Sequence, residues 1–199
     1  MQLIQQNPEL SAYLAADDAI DHGHPLVRET AARLASGADD SYAYARAAYE
    51  FVRDAIPHSA DSGDLRVTWR ASDVLAQGTG ICHAKAHALA ALLRAEDIPA
   101  ALCYQRLTHD AGTGWCVHGL VAVRFHGAWH RQDVRGNVGG IDARFSLEEE
   151  RLAFLPDAAA GELDYPGLYD APHPVVLDVM RGAPDRPHLW EHLPDALPA

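Results

Sequence analysis

The spacing of apolar residues changes once along this chain, near Pro99, and that change limits the folds open to it. Before Pro99 apolar residues recur at helical spacing, most clearly between Ser41 and Ala55. After Pro99 apolar and polar residues alternate, most regularly from Trp115 to Phe125. A period of 3.6 residues is typical of a helix with one buried face, and alternation is typical of a strand. Helices followed by an antiparallel sheet predict an α+β fold.

Prolines mark the ends of the first predicted helices. Asn7-Pro8 predicts an N-terminal helix, with the asparagine as its cap and the proline in its first turn. A second helix is predicted over residues 25–36, since it begins at a proline and a glycine follows it. The third, over residues 41–55, should end before Pro57.

A glycine-rich break separates the next two predicted helices. Ser72 is a candidate cap for a short helix over residues 73–77. The run Gly78-Thr79-Gly80 should end that helix. A longer helix is then predicted from about Cys82 to Ala95, with its apolar residues on one face.

A hairpin is the clearest feature of the predicted sheet. His126-Gly127 is typical of a two-residue turn between strands, so Ala128 to Val134 should return beside Trp115 to Phe125. Pairing about that turn sets His118 opposite Arg135 and Asp133 opposite Leu120. His118 and Asp133 are then diagonal neighbours on one face, with about 7–8 Å between their backbones.

The remaining segments give weaker signals. Residues 100–107 predict a further strand, and residues 58–68 predict a loop because they are polar and contain glycine. Ser146 to Glu149 fits a capping box, which predicts a short helix. Residues 156–174 are predicted to be rich in loops, and residues 175–179 are predicted to form one more strand.

Composition limits the class of protein. A length of 199 residues, with 48% apolar and 22% charged residues, is typical of a single globular domain, here predicted over residues 1–199. A net charge of −12 disfavours binding to nucleic acid or to an anionic membrane, since both need an excess of cations. We expect a cytoplasmic protein, because the N-terminus resembles no signal peptide and the three cysteines make an odd number.

Cys82 is the first candidate catalytic residue. It follows a glycine-rich turn and begins a predicted helix, where unpaired backbone N–H groups and the helix dipole stabilise a thiolate. His118 and Asp133 are the candidate base and the candidate residue that orients the base. A base next to a thiol takes its proton, and a carboxylate next to an imidazole fixes its tautomer. Each residue taken alone is more typical of ordinary packing, but the three form one chemical unit.

Several runs of residues resemble the core of the transglutaminase-like superfamily, in which a cysteine, a histidine and an aspartate occur in this order. The matching runs are Ala71–Leu75, Gly78–Cys82, Ala90–Arg94, Ile98–Ala100, His118–Phe125 and Trp129–Asp133. Five further runs resemble a bacterial subgroup, so that the similarity covers about residues 45–155. These are Val52–Asp54, His58–Ser59, Cys103–Leu107, Arg135–Asn137 and Asp142–Phe145.

The resemblance implies a papain-like α+β fold and a thioester acyl-enzyme formed on Cys82, with His118 and Asp133 in the roles given above. It implies no cofactor and no metal, and a peptide or small amide as substrate. It leaves the acyl acceptor open between water and an amine. Gln77, five residues before Cys82, resembles the papain glutamine that donates to the oxyanion, but the backbone N–H of Cys82 is the preferred donor.

Three other interpretations compete with this one. His83 and His87 lie four residues apart and could bind zinc, with Cys82, Cys116 and His118 as further ligands, but the glutamate of a zinc protease is missing between the two histidines. His58, with a serine and an aspartate within four positions, is better explained by local turn bonding. The rival of another class is a peptide-binding module on the same fold, in which Cys82 would have no reason to be activated.

Overall fold

Four antiparallel strands form the main sheet of the protein, and helices pack against it, as the computed structural model describes for residues 1–109 and 114–198. The α+β fold predicted from the sequence is confirmed. The helices are α1 (Pro25–Ala35), α2 (Ser41–Ala55), α3 (Ser59–Ser62), α4 (Ala71–Gln77), α5 (Cys82–Ala95), α6 (Pro174–Gly182) and α7 (Arg186–Glu191). The strands are β1 (Ile4–Gln5), β2 (Ala100–Thr108), β3 (Trp115–Phe125), β4 (Ala128–Gln132), β5 (Leu163–Asp164) and β6 (Gly167–Leu168).

Helix α5 lies at the centre of the fold. It packs against α1, α2 and α4 on one side and against β2 and β3 on the other. Every residue from Cys82 to Arg94 is buried, although the sequence predicted a helix with one apolar face. Alanine favours helix and occupies little space, so its abundance here lets neighbouring elements approach from all sides. None of the described helices is both long and apolar enough to cross a bilayer.

Polar side chains of α5 are buried because backbone carbonyls accept hydrogen bonds from them. The Lys85 ammonium donates to the carbonyls of Arg53, Ile56 and Arg135, at 3.2, 2.6 and 3.1 Å. Burial, reinforced by the nearby charge of Arg135, lowers the pKa of Lys85 to about 8. Burying a charged group is costly unless its hydrogen bonds are made, so these three carbonyls fix the end of α2 and the chain after β4 relative to α5.

The main sheet has the strand order β4-β3-β2-β5. The predicted hairpin is confirmed in its register, since Val121 pairs with Gln132 and Phe125 with Ala128. His126 and Gly127 both have positive φ, 50° and 80°, as a two-residue turn with the twist of the strands requires.

Two predictions of local secondary structure were wrong. Residues 175–179 lie in helix α6 rather than a strand, because Pro174 begins a helix that buries Val176 and Met180 on one face. Ser59–Ser62 forms the short helix α3 inside the predicted loop.

Three predicted caps also turned out differently. The Ser146 hydroxyl accepts from the N–H groups of Glu148 and Glu149, yet no helix follows. Instead, the Glu150 carboxylate accepts a hydrogen bond from Arg131. Ser72 lies within α4 and donates its N–H to Asp21 instead of capping the helix. After Asn7 the chain forms only a 3₁₀ turn, Leu10–Leu14.

Residues 156–174 are joined to the two sheets by strand pairing. Strand β5 pairs with β2, and β6 pairs with β1. The backbone of Tyr169 exchanges two hydrogen bonds with that of Leu102. Beyond this stretch, Leu189, Leu193 and Leu197 enter the main core and hold the C-terminal segment against the rest of the protein.

Gly119 sets how closely β3 approaches α5. A Cβ atom built at Gly119 would lie 2.4 Å from Nδ1 and 3.1 Å from Cα of His83. Because the second of these atoms belongs to the helix backbone, a side chain could be accommodated only if α5 and β3 moved apart.

We therefore expect Gly119→Ala to destabilise the fold by about 1–3 kcal/mol, the usual cost of adding volume to a packed core. Urea denaturation would measure the change in the free energy of unfolding. Gly182→Ala is the matched control, since nothing lies within 4 Å of the added Cβ, and it should leave stability unchanged or slightly increased. Equal stabilities of the two variants would contradict the close contact.

Candidate active site

Cys82 lies at the first residue of α5, where the sequence placed it. Gly78 ends α4 in the left-handed conformation, with φ of 62°, and the chain turns into α5 through Gly80. A Cβ at Gly80 would lie 3.0 Å from that of Ala84 and 3.1 Å from the Thr68 hydroxyl, so glycine permits this tight turn. The preceding residue offers no side-chain cap, which leaves N–H groups of the first turn open at the thiol.

His118 and Asp133 are brought together by the β3–β4 hairpin. His118 Nε2 and Asp133 Oδ2 are 2.9 Å apart, and both side chains are buried. The same carboxylate accepts from the backbone N–H groups of Arg135, at 2.9 Å, and Ala153, at 3.1 Å. The tyrosine Tyr49 donates to the carbonyl of Asp133 at 2.8 Å. Asp133 is therefore held on both its backbone and its side chain.

A hydrogen bond joins His118 to Cys82 and completes the series. Since Nε2 of His118 faces Asp133, Nδ1 is the nitrogen directed at the sulfur. Burial opposes charge on the thiol, but the imidazoles of His83 and His118, with hydrogen bonds from His118 and His58, hold the pKa of Cys82 well below its ordinary value.

The charges of the neighbouring groups act on His118 and Asp133 as well. Burial opposes protonation of His118, but the negative charges of Asp133 and Cys82 outweigh burial and raise its pKa. Burial likewise opposes ionisation of Asp133, but His118 and the two backbone donors lower its pKa. The arrangement favours a thiolate, an imidazolium and a carboxylate at neutral pH.

The cleft that contains Cys82 and His118 has a volume of about 270 Å³ and mostly apolar walls. The far walls come from two segments that are distant in sequence, the stretch around Phe154 and the C-terminal segment. Phe154 packs edge-on against the His118 ring, with 5.2 Å between centroids. The apolar wall residues are Leu107, Cys116, Val117, Ala153, Phe154, Leu155, Trp190 and Leu193.

Two residues differ from their sequence-based interpretation. His58 forms the expected turn bond, accepting from Ala60 N–H, but it is also buried beside Cys82 and lines the cleft. Nothing in its local sequence marks this position, because a parallel bridge to Gly80 creates it. Gln77 is exposed and is not among the residues that line the cleft, so its resemblance to the papain oxyanion glutamine is not supported.

The two histidines considered for zinc binding are both buried. His83 Nε2 lies 2.9 Å from the carbonyl of Val117, and His87 Nδ1 lies 2.8 Å from that of Trp69. Each ring thus has a nitrogen occupied by a different segment of the chain. Over residues 1–109 and 114–198, no group of three His, Cys, Asp or Glu side chains is arranged to hold a metal ion.

Comparison with known proteins places this geometry in a family. One similar solved structure is a candidate cysteine protease from Cytophaga hutchinsonii, with 18% identity and a TM-score of 0.54 over 65% of this chain and 43% of that one. Another is a TGase, with 16% identity and a TM-score of 0.40 over 66% of this chain and 35% of that one.

The chain therefore spans less than half the length of either solved structure. None of the curated protein sequences matches it. The profile of the transglutaminase-like superfamily matches residues 28–134, which is more than half of the chain and includes Cys82, His118 and Asp133. The protein belongs to the transglutaminase-like superfamily.

Proposed function

We propose that this protein is a cysteine-dependent enzyme that cleaves amide bonds through a thioester acyl-enzyme, with Cys82 as nucleophile, His118 as acid and base, and Asp133 as the residue that orients His118. The observation that carries the proposal is the buried hydrogen-bonded series from Asp133 through His118 to Cys82, which opens on an apolar cleft. A peptide-binding module on the same fold would not need a thiol with a lowered pKa.

In the first half-reaction the Cys82 thiolate attacks the amide carbonyl carbon, and the carbonyl oxygen takes the electron pair of the π bond. The C–N bond then breaks as His118 Nδ1 gives its proton to the departing amine nitrogen. The amine leaves, and the acyl group remains on sulfur as a thioester.

In the second half-reaction His118, now neutral, takes a proton from water while the water oxygen attacks the thioester carbonyl. The C–S bond breaks, the acid is released, and Cys82 returns as a thiolate beside the imidazolium. Throughout, Asp133 holds the ring so that Nδ1 faces the sulfur, and its negative charge stabilises the imidazolium.

The strand pairing of residues 156–174 favours water as the acceptor of the acyl group. A long loop segment can close over a site as a lid, and transfer to an amine requires that water be excluded. Because β5 and β6 tie the stretch to the sheets, it offers little freedom to close over the acyl-enzyme. Transfer to an amine is the second candidate, favoured by the net charge of −12, which steers cationic amines towards the protein.

The walls of the cleft indicate the class of substrate. Apolar side chains such as Phe154, Trp190 and Leu193 surround the space next to the Cys82 thiol. An apolar side chain in that space would remove apolar surface from water, which is the main source of binding energy in such pockets. We therefore infer a peptide or small amide with an apolar group on the acyl side.

Cys82 should be alkylated by iodoacetamide much faster than Cys103 or Cys116. Since its pKa is lowered well below 9.0, its rate should stay constant from pH 8 down past neutrality, where that of an ordinary thiol falls about tenfold per unit. Burial raises the pKa of Cys103, which slows that residue further. Mass spectrometry after brief treatment measures each site, and equal labelling of all three cysteines would reject an activated Cys82.

Substitutions in the series should lower turnover to different extents. Cys82→Ala and His118→Ala should each cost roughly 10⁵- to 10⁶-fold in kcat, and Asp133→Asn roughly 10²- to 10⁴-fold. The asparagine can still accept from His118, but its amide NH₂ would then face the Arg135 N–H.

Asp142→Asn is the control for these variants, because Asp142 is exposed and pairs only locally with Arg144 among the described contacts. It should leave kcat unchanged. Full activity of Asp133→Ala on a substrate whose turnover requires Cys82 would show that the role given to Asp133 is wrong.

Partitioning of the acyl-enzyme tests the choice of acceptor. We expect an acyl donor to give mainly free acid even with a primary amine at millimolar concentration, because water reaches the thioester. Mass spectrometry would compare acid with amide product, and Cys82→Ala should give neither. Predominant amide formation would reject hydrolysis and leave the thioester mechanism in place.

A further inference from the structure

His58 is a buried titratable residue in the catalytic cleft, and the mechanism above does not use it. Its side chain is 3% exposed and lines the same cleft as Cys82 and His118. It also makes a hydrogen bond to the Cys82 sulfur. Two imidazoles, those of His58 and His118, therefore hydrogen-bond Cys82, and of these two only His118 is hydrogen-bonded to a carboxylate.

The backbone places His58 at the N-terminal end of α5. His58 and Gly80 form a parallel bridge, and the N–H of Ser59 donates to the carbonyl of Gly80 at 3.1 Å. Gly80 stands two residues before Cys82. His58 is thus joined to the turn that leads into the first turn of α5, where the N-cap residue provides no side-chain hydrogen bond. The rings of His58 and Trp190 form a T-shaped pair, with 6.1 Å between their centroids, and this packing restricts the orientation of His58.

The hydrogen bonds of His58 determine where its proton lies. Nδ1 accepts from the backbone N–H of Ala60 at 3.3 Å, which requires a lone pair on that nitrogen. The proton of the neutral ring is then on Nε2, the nitrogen left to face Cys82. In this state His58 can donate a hydrogen bond towards the sulfur but cannot take the thiol proton. In His118 the nitrogen far from the sulfur, Nε2, faces an acceptor, Asp133, instead of a donor, so Nδ1 can exchange a proton with the thiol.

We propose that the Nε2–H of His58 and the backbone N–H of Cys82 together form the oxyanion hole of this enzyme. The role rests on the proposed acyl-transfer function. As the sulfur attacks, its negative charge moves to the carbonyl oxygen, and the hydrogen bond of His58 moves with it. No proton is transferred, and the hydrogen bond returns to the sulfur when the intermediate collapses and the C–S bond breaks. A fixed donor in a buried site stabilises such an oxyanion strongly, by roughly 10²- to 10³-fold in rate.

The test compares two reactions of Cys82 that differ in one feature. Acyl transfer builds charge on a carbonyl oxygen, whereas alkylation by iodoacetamide displaces iodide at a saturated carbon and builds none. His58→Phe keeps a ring but removes the donor, so kcat should fall roughly 10²- to 10³-fold with little change in KM. The alkylation rate constant, measured on its pH plateau for each variant, should change by no more than a few-fold.

His58→Gln and His24→Phe complete the series. The glutamine amide keeps an N–H donor, so His58→Gln should recover part of the lost kcat. His24 caps α1 through the same kind of bond, Nδ1 accepting from Leu26 N–H at 3.2 Å, and it does not line the cleft. His24→Phe therefore controls for the loss of a cap and should keep full kcat. If His58→Phe does not fold, His58→Leu takes its place in the comparison.

Each outcome separates this role from the alternatives. A parallel fall in kcat and in the plateau alkylation rate would show that His58 serves the thiolate rather than the oxyanion. Unchanged kcat in folded His58→Phe would reject any catalytic role and leave the Cys82 mechanism intact. A wild-type protein that turns over no amide, ester or amine-acceptor substrate would reject the proposed function itself, and the oxyanion role with it.

Discussion

The contact between α5 and β3 at Gly119 is the one on which both the fold and the candidate site depend. Helix α5 is buried on all sides, so its distance from β3 is fixed by the absence of a side chain at Gly119. Cys82 begins this helix, and His118 immediately precedes the glycine. The thiol and the imidazole can therefore share a hydrogen bond only while this contact is close. The same close contact is therefore needed both for packing of the core and for the geometry of the candidate site.

Hydrogen-bond partners, rather than residue type, distinguish the two imidazoles beside Cys82. His118 has an acceptor, the Asp133 carboxylate, on its far nitrogen, which directs a proton-exchanging nitrogen at the sulfur. His58 has a donor, the Ala60 N–H, in the corresponding place. The proposed roles of base and oxyanion donor follow from that reversal. The fold thus gives identical side chains different hydrogen-bond partners, and so different positions of the ring proton, without needing a difference in exposure.

The sequence predicted the parts of this site that local rules govern. The hairpin turn at His126-Gly127 fixes the register, and the register brings His118 beside Asp133. The break before Cys82 likewise predicts a helix start. By contrast, His58 reaches the thiol through a bridge to Gly80, more than 20 residues away, and no local pattern encodes such a pairing. The same limit explains why the apolar wall of the cleft could not be predicted.

Because the C-terminal segment lines the cleft, the cleft is completed late in the synthesis of the chain. Cys82, His118 and Asp133 are all translated well before Trp190 and Leu193, which form one of its walls. Chains are made from the N-terminus, so these three side chains leave the exit tunnel of the ribosome while that wall is still missing. The cleft takes its final shape only when Leu193 has left the tunnel as well. A nascent chain of this protein would thus present its thiol, imidazole and carboxylate before the cleft around them is complete.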